Sequence, residues 1–199
     1  MFLFGELIAL PPPDWVIENA YFKLASDAPI MNTWGEDYAN RKLYHETGEF
    51  LSSNNRVVYL DEPCLEWAKK NISNETIDIR VFSSMVGRVM TGPHTDMTRK
   101  YTLLYLLKSG GPHHKSVYYK EKGDSNVSYP GRYSVTDFSQ LEQLCQVQIP
   151  LNKWILLNSH VLHSVEQIQE GRISIQINMD LIPTDVSLRN CISVSNYHI

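Results

Sequence analysis

Three side chains near the middle of the chain could bind one metal ion. His94 and Asp96 stand two residues apart, and two further histidines follow within residues 158–165. Residues two apart on an extended segment point to the same side, so His94 and Asp96 can contact one ion together. One more imidazole would complete a triad of two histidines and one carboxylate. Such a triad leaves the opposite face of an iron(II) ion open to other ligands.

The third ligand is either His160 or His163. The two have opposite parity on a strand, so only one of them can face the metal. A second histidine pair, His113-His114, follows two glycines and a proline. Adjacent side chains diverge, and we therefore interpret that pair as part of a solvated turn and not as metal ligands.

A strictly alternating strand follows the histidines. Arg172, Ser174, Gln176 and Asn178 share one face, while three isoleucines and Met179 share the other. Two interpretations are open: the polar face lies in water, or it lines the mouth of a barrel. The upstream metal motif favours the second interpretation. Arg172 and Ser174 would then hold the carboxylate of a small acid close to the metal.

Composition limits the remaining possibilities. The chain has 199 residues, of which 43% are hydrophobic, enough for one domain spanning 1–199. Its net charge of -4 gives no nucleic-acid-binding footprint. Three scattered cysteines indicate reduced thiols, not a disulfide framework. No apolar run is long enough to cross a membrane, and the apolar opening segment 1–10 lacks the basic residues of a signal peptide, so we predict a cytoplasmic protein.

Residues 1–75 predict a mixed α/β support region. A strand opens the chain, and Asp14 is positioned to cap a helix that ends near Leu24, with Trp15, Ala20 and Phe22 as buried candidates. A second strand covers 56–60, and Asp61 is positioned to cap a helix that ends near Asn71. Residues 26–55 predict loops and one short hairpin.

Residues 76–182 predict a core of about eight short strands, which is typical of an all-β sandwich or barrel, here a jelly roll. The strands are expected at 77–82, 94–96, 99–107, 116–119, 145–149, 154–157, 161–165 and 172–181. The polar segment 122–142 is the one long insertion and a candidate lid. Residues 183–199 are predicted to be a C-terminal tail.

His94-Thr95-Asp96, then His163, then Arg172 nine residues later and Ser174, resemble the signature of the iron(II)/2-oxoglutarate-dependent oxygenases. The run 99–107 is also similar to the strand after the first two ligands in prolyl-hydroxylase-like members. The resemblance covers residues 77–181 and extends to small prolyl-, aspartyl- and asparaginyl-hydroxylase-like enzymes. It favours His163 over His160 as the third ligand.

The resemblance implies a mainly β protein with N-terminal helices and a double-stranded β-helix (jelly roll, cupin-like) core. It implies iron(II) on His94, Asp96 and His163, with the C5 carboxylate of 2-oxoglutarate on Arg172 and Ser174. Thr102 and Tyr105 lie on opposite faces of a regular strand, so at most one contacts 2-oxoglutarate. That choice stays open, and Tyr105 is the residue that we take forward. Arg99 is a candidate for binding a substrate carboxylate.

The implied activity is a dioxygenase reaction that consumes O2 and 2-oxoglutarate, hydroxylates a C–H bond and releases succinate and CO2. The expected substrate is a small molecule or an amino-acid or peptide side chain. The alternative from a different class is a non-catalytic, metal-binding jelly roll with a binding or structural role. Retention of iron and consumption of 2-oxoglutarate would distinguish the two hypotheses.

Overall fold

The computed structural model describes residues 1–26, 42–44, 50–52, 55–84, 91–96, 99–124, 127–128, 137–182 and 187–193. These ranges contain two α-helices, α1 (Asp14–Ala25) and α2 (Glu62–Asn71), and a 3-10 helix (Phe138–Gln140). They also contain thirteen strands: β1 (Phe2–Leu7), β2 (Lys42–Tyr44), β3 (Phe50–Ser52), β4 (Asn55–Tyr59), β5 (Thr76–Ser84), β6 (Thr91–His94), β7 (Tyr101–Ser109), β8 (Lys115–Glu121), β9 (Leu141–Val147), β10 (Trp154–Asn158), β11 (Leu162–Glu166), β12 (Arg172–Met179) and β13 (Leu188–Ser193). No helix in this part of the chain is long and apolar enough to span a membrane.

Two large antiparallel sheets build the core. The seven-stranded sheet has the order β13-β1-β10-β7-β12-β5-β4, and the four-stranded sheet has the order β6-β11-β8-β9. The eight strands from β5 to β12 alternate between the two sheets, except that β8 and β9 follow each other in the smaller one. The larger sheet contains β5, β7, β10 and β12, and the smaller sheet contains β6, β8, β9 and β11. This order is a jelly roll, as the sequence predicts.

The two faces of the seven-stranded sheet have different partners. One face packs under the helices, where Ile175 and Ile177 of β12 join Val16, Ala20 and Ala68 in the largest hydrophobic cluster. Side chains alternate along a strand, so the polar residues of β12 face the opposite way, towards the interior. Arg172, Ser174 and Asn178 are at most 2% exposed. The polar face of this strand therefore lines the interior and does not lie in water.

The N-terminal helices form where they are predicted but present other side chains to the core. Pro13, and not Asp14, occupies the cap position of α1. Val16 and Ala20, four residues apart, are completely buried, whereas Trp15 and Phe22 are 43% and 66% exposed. Residues four apart share one helix face, and this small-residue face lets α1 lie close to the sheet. The prediction that Trp15 and Phe22 are buried is therefore wrong.

Asp61 precedes α2 as predicted, but its carboxylate does not cap that helix. It accepts a hydrogen bond from Asn19 Nδ2 at 2.6 Å and pairs with Lys23 Nζ at 2.5 Å, both on α1. These contacts lower the pKa of Asp61, the Lys23 contact first and the Asn19 contact second. The carboxylate therefore links the two helices over the sheet.

The loop regions are described in part. Strands β2 and β3 pair as a hairpin inside the segment predicted to contain one. Strand β9 begins at Leu141, earlier than the predicted strand 145–149. Residues 125–126 and 129–136, about half of the predicted lid 122–142, lie outside the described residues. Strand β13 lies in the predicted tail and pairs with β1 at the edge of the larger sheet.

Candidate metal centre and anion pocket

The jelly roll brings His94, Asp96 and His163 together. His94 ends β6, His163 lies in β11, and the two residues are directly opposite in the antiparallel register. Asp96 Oδ1 lies 4.0 Å from His94 Nε2, and Asp96 Oδ2 lies 4.0 Å from His163 Nε2. One ligand atom from each residue lies within 4.8 Å of the others. Two imidazoles and one carboxylate at these separations are a donor set suited to one divalent transition metal ion.

The His163 ring is fixed in a tautomer that suits metal binding. Its Nδ1 lies 2.9 Å from the carbonyl oxygen of Val161. A carbonyl oxygen only accepts, so Nδ1 carries the proton and Nε2 presents a lone pair towards Asp96 and His94. The Tyr118 ring, 1% exposed, lies 6.0 Å from the His163 ring, centroid to centroid.

Tyr118 is a site residue that the sequence did not single out. It lies directly opposite His163 in the β8–β11 register. Burial raises the pKa of its phenol, with smaller contributions from Cys145 and Asp96, and the phenol therefore stays protonated. The run 116–119 contains two adjacent tyrosines, and only the strand register shows which of them faces the histidine.

Arg99 lies beside the metal ligands and contacts Asp96. Its Nη2 lies 3.0 Å from Asp96 Oδ2, and its Nε donates to Thr102 Oγ1 at 2.6 Å. Thr102 Oγ1 is in turn 2.9 Å from Ser159 Oγ, and the carbonyl oxygen of Ser159 accepts a hydrogen bond from the Asp96 backbone N–H. The carboxylate of Asp96 is thereby held from its side chain and from its backbone. The predicted substrate-binding role of Arg99 stays a prediction.

Arg172 and Ser174 lie on the interior face of β12. Arg172 is 2% exposed and Ser174 is completely buried. Burial lowers the pKa of the Arg172 guanidinium to about 10, and no neighbouring acid contributes to that shift. Its Nη1 has no hydrogen-bond partner among the described residues. A buried cation without a counter-ion costs several kcal/mol, so this pocket is suited to an anion.

Tyr105 does not reach this pocket. It belongs to the hydrophobic cluster under the helices, and its ring lies 5.0 Å from that of Trp154, centroid to centroid, with the two planes tilted by 56°. It is paired with Ile175 across β7 and β12, on the face opposite Ser174. Burial raises the pKa of its phenol. Thr102 occupies the interior face of the same strand, where it already contacts Arg99 and Ser159.

Two further histidines that the structure describes, His160 and His114, do not belong to the triad. His160 lies in the turn before β11, and its backbone N–H donates to Asn158 Oδ1. His114 is buried, with Nδ1 2.7 Å from the carbonyl oxygen of Gly111 and Nε2 3.1 Å from that of Ile149. It is therefore a structural residue of the β7–β8 connection. The predicted turn is correct, but this histidine is not solvated.

A second buried arginine, Arg80, also faces the interior. It lies on β5, directly opposite Gln176 of β12, and is 2% exposed. Asp78 and Arg80 alternate with apolar residues in the run 77–82, so they share one face of the strand. In an isolated strand such a face is usually solvated, whereas in this fold it is the interior face that it shares with Gln176 and Asn178 of β12.

Comparison with known proteins finds no matching family model and no matching curated protein. A prolyl-4-hydroxylase from Pseudomonas putida is similar in structure over 91% of this chain and 94% of its own, with 10% identity and a TM-score of 0.47. The Escherichia coli protein ycfD is similar over 55% of this chain with 15% identity and a TM-score of 0.37, and the match spans only 27% of its length. A cupin-like protein from Thermotoga maritima is similar over 68% of this chain and 75% of its own, with 10% identity and a TM-score of 0.32. Similarities this distant assign neither a family nor an activity to the chain.

Proposed function

We propose that the protein is an iron(II)- and 2-oxoglutarate-dependent dioxygenase that hydroxylates a C–H bond of a small molecule or of an amino-acid or peptide side chain. The observation that carries this proposal is the buried Arg172, which has no acidic partner in the described part of the chain and faces the same interior as the His94–Asp96–His163 cluster. A metal site alone would support many functions. A metal site that faces the same interior as an unneutralised guanidinium favours an anionic ligand bound next to the metal.

His94, Asp96 and His163 would hold the iron, and Arg172 with Ser174 would hold the distal carboxylate of 2-oxoglutarate. Iron(II), 2-oxoglutarate and O2 together supply the oxidant for hydroxylation, with release of succinate and CO2. The protein's part is to position the ligands and to exclude water. Arg99, which donates a hydrogen bond to Thr102, fixes the Asp96 carboxylate, and the Val161 carbonyl fixes the His163 ring.

The test is an anaerobic titration of iron(II) into metal-free protein in the presence of 2-oxoglutarate, followed by the weak visible charge-transfer band of the chelate. Wild-type protein is compared with Arg172→Gln. We expect the variant to bind 2-oxoglutarate about 100-fold more weakly, because two charge-assisted hydrogen bonds are lost. Its affinity for the metal should stay unchanged.

Lys108→Gln is the matched control, since it removes one positive charge from an exposed position on β7. It should leave both affinities unchanged. If metal binds to the wild type but the band never forms, the proposal that 2-oxoglutarate is the co-substrate is wrong. The non-catalytic, metal-binding jelly roll would then be the better description.

A further inference from the structure

Arg80 presents two donors of its guanidinium to the interior without partners. Its Nε and Nη2 have no hydrogen-bond partner among the described residues. The only carboxylate paired with Arg80 among the described residues is that of Asp78, whose Oδ1 lies 3.9 Å from Arg80 Nε, beyond hydrogen-bond reach. That oxygen instead accepts a hydrogen bond from Asn178 Nδ2 at 2.6 Å. Asp78 therefore does not satisfy the arginine.

The two free donors lie on one edge of the guanidinium. Nε–H and one N–H of Nη2 point the same way and are spaced like the two oxygens of a carboxylate, so this edge can bind a carboxylate with two parallel hydrogen bonds. Arg99 does not offer the same opportunity, because its Nε and Nη2 already contact Thr102 and Asp96.

Arg80 and Arg172 occupy different levels of the interior. Arg80 is opposite Gln176, which lies four residues along β12 from Arg172. At about 3.3 Å per residue the two levels are about 13 Å apart along the strand. Thr102, which shares Arg99 with Asp96, lies directly opposite Asn178 of β12. Asn178 is two residues from Gln176, the partner of Arg80, and six residues from Arg172. Arg80 is therefore the arginine nearer to the metal ligands.

The net charge around the site favours the binding of a second anion. Among the described residues, three arginines and two aspartates contribute one net positive charge, from the side chains of Arg80, Arg99, Arg172, Asp78 and Asp96. A divalent metal ion would raise this charge to three, and doubly charged 2-oxoglutarate would lower it to one. A single carboxylate on the substrate would make the pocket neutral, which is the favourable state for a desolvated site.

We propose that Arg80 binds a carboxylate of the primary substrate, which is therefore an organic acid, a free amino acid or an acidic side chain. That this acid is a substrate rests on the proposed function, but the binding of a carboxylate to Arg80 does not require 2-oxoglutarate. The guanidinium of Arg80 holds the acid at the metal end of the interior, while Arg172 holds the co-substrate farther in.

The test uses propionate as the probe and propionamide as its uncharged match, with manganese(II) in place of iron(II). The paramagnetic relaxation of the probe's methyl protons reports binding close to the metal without any turnover. It is measured with and without saturating 2-oxoglutarate. We expect propionate to bind at least about tenfold more tightly than propionamide, because a charge-assisted pair is stronger than a neutral one. We expect Arg80→Gln to abolish that preference and Lys108→Gln to retain it.

Separate titrations keep the two proposals distinguishable. Loss of 2-oxoglutarate binding in Arg80→Gln, with propionate unaffected, would overturn the substrate role and make Arg80 an anchor for the co-substrate. Equal relaxation of propionate and propionamide in the wild type would also overturn it. If 2-oxoglutarate fails to bind the wild type, the proposed function falls and the propionate result still decides the role of Arg80. Should Arg80→Gln fail to fold, Arg80→Lys keeps the charge without the paired donors and should weaken propionate binding several-fold.

Discussion

At the scale of single residues, Asp96 connects the metal centre to its support. Its Oδ2 faces both His163 Nε2 at 4.0 Å and Arg99 Nη2 at 3.0 Å. The carboxylate therefore serves as a ligand on one side and as the acceptor of a charged hydrogen bond on the other. Partners of this kind set the orientation of a ligand and tune its affinity for the metal.

Asp96→Ala should remove metal binding without unfolding the protein. The variant loses the only anionic ligand of the triad and leaves Arg99 close to the vacated position, so a cation is repelled as well as less well coordinated. We expect metal content after dialysis to fall below about a tenth of the wild-type value. Elemental analysis measures that content, and an unchanged circular dichroism spectrum shows that the fold is retained. Full retention of metal would contradict the triad.

Arg99→Gln separates a supporting role from a substrate-binding role. If Arg99 acts through Asp96, the variant should bind manganese(II) about 10- to 100-fold more weakly, because outer partners of metal ligands contribute that much. Competition with a chelator measures the metal affinity without substrate. Unchanged metal affinity with weaker substrate binding would instead support the role predicted from the sequence. Lys108→Gln again controls for the loss of one charge.

At the scale of elements, the connection between β7 and β8 determines how closely the turn between β11 and β12 can pack against it. Gly110 has φ +91°, and a Cβ added there would lie 3.1 Å from Ile168 Cγ2 and 3.2 Å from Arg172 Cβ. Its carbonyl oxygen accepts hydrogen bonds from the backbone N–H groups of Gln169 and Glu170. The glycine therefore lets the β11–β12 turn close over the base of the Arg172 side chain.

Gly110→Ala should destabilise the protein by about 2 to 4 kcal/mol, since it combines an unfavourable φ with crowding against Arg172. Gly123→Ala is the matched control, because Gly123 also has a positive φ, +79°, but nothing within 4 Å of the added Cβ. It should cost only the backbone term, about 1 kcal/mol. Urea denaturation of both variants measures the difference. Equal losses would show that crowding at Arg172 does not matter.

The sequence predicts elements well where one signal dominates. The strict alternation of β12 identified both its isoleucine face and its polar face, and the structure confirms them. Helix α1 was harder, because Trp15 and Phe22 are apolar by type while the sheet packs against the smaller Val16 and Ala20. Strand β13 was missed because an edge strand with polar residues resembles a tail.

At the scale of the whole molecule, the site combines residues whose roles depend on distant strands. The sequence identified His94, Asp96, His163 and Arg172 as candidates, and the fold places all four towards the interior. It did not identify Arg80, which is buried because its face of β5 is turned towards the interior. Nor could the sequence show which face of β7 points to the interior. Only the register shows that Tyr105 packs under the helices. Pairing between strands, which local sequence does not encode, decides these cases.

The two ends of the described chain meet at one side of the larger sheet. Glu6 of β1 binds Arg189 and Asn190 of β13, and its carboxylate also pairs with Lys153 at 3.2 Å. The hydrogen bond from Arg189 is the largest cause that lowers the pKa of Glu6 from 4.5 to about 2, although burial opposes it. This carboxylate therefore holds β13 to β1 and to the segment that precedes β10.

The lowered pKa of Glu6 predicts a loss of stability in acid. Because the folded-state pKa lies below the unfolded value of 4.5, the ionised carboxylate stabilises the fold above that pH, and this contribution disappears as the pH falls from 4.5 towards 2. Glu6→Gln lacks the titrating group, so its free energy of unfolding should depend less steeply on pH across that window. Urea denaturation of the metal-free proteins at several pH values between 2 and 7 measures both slopes. Parallel curves for wild type and variant would show that Glu6 does not couple the chain ends to protonation.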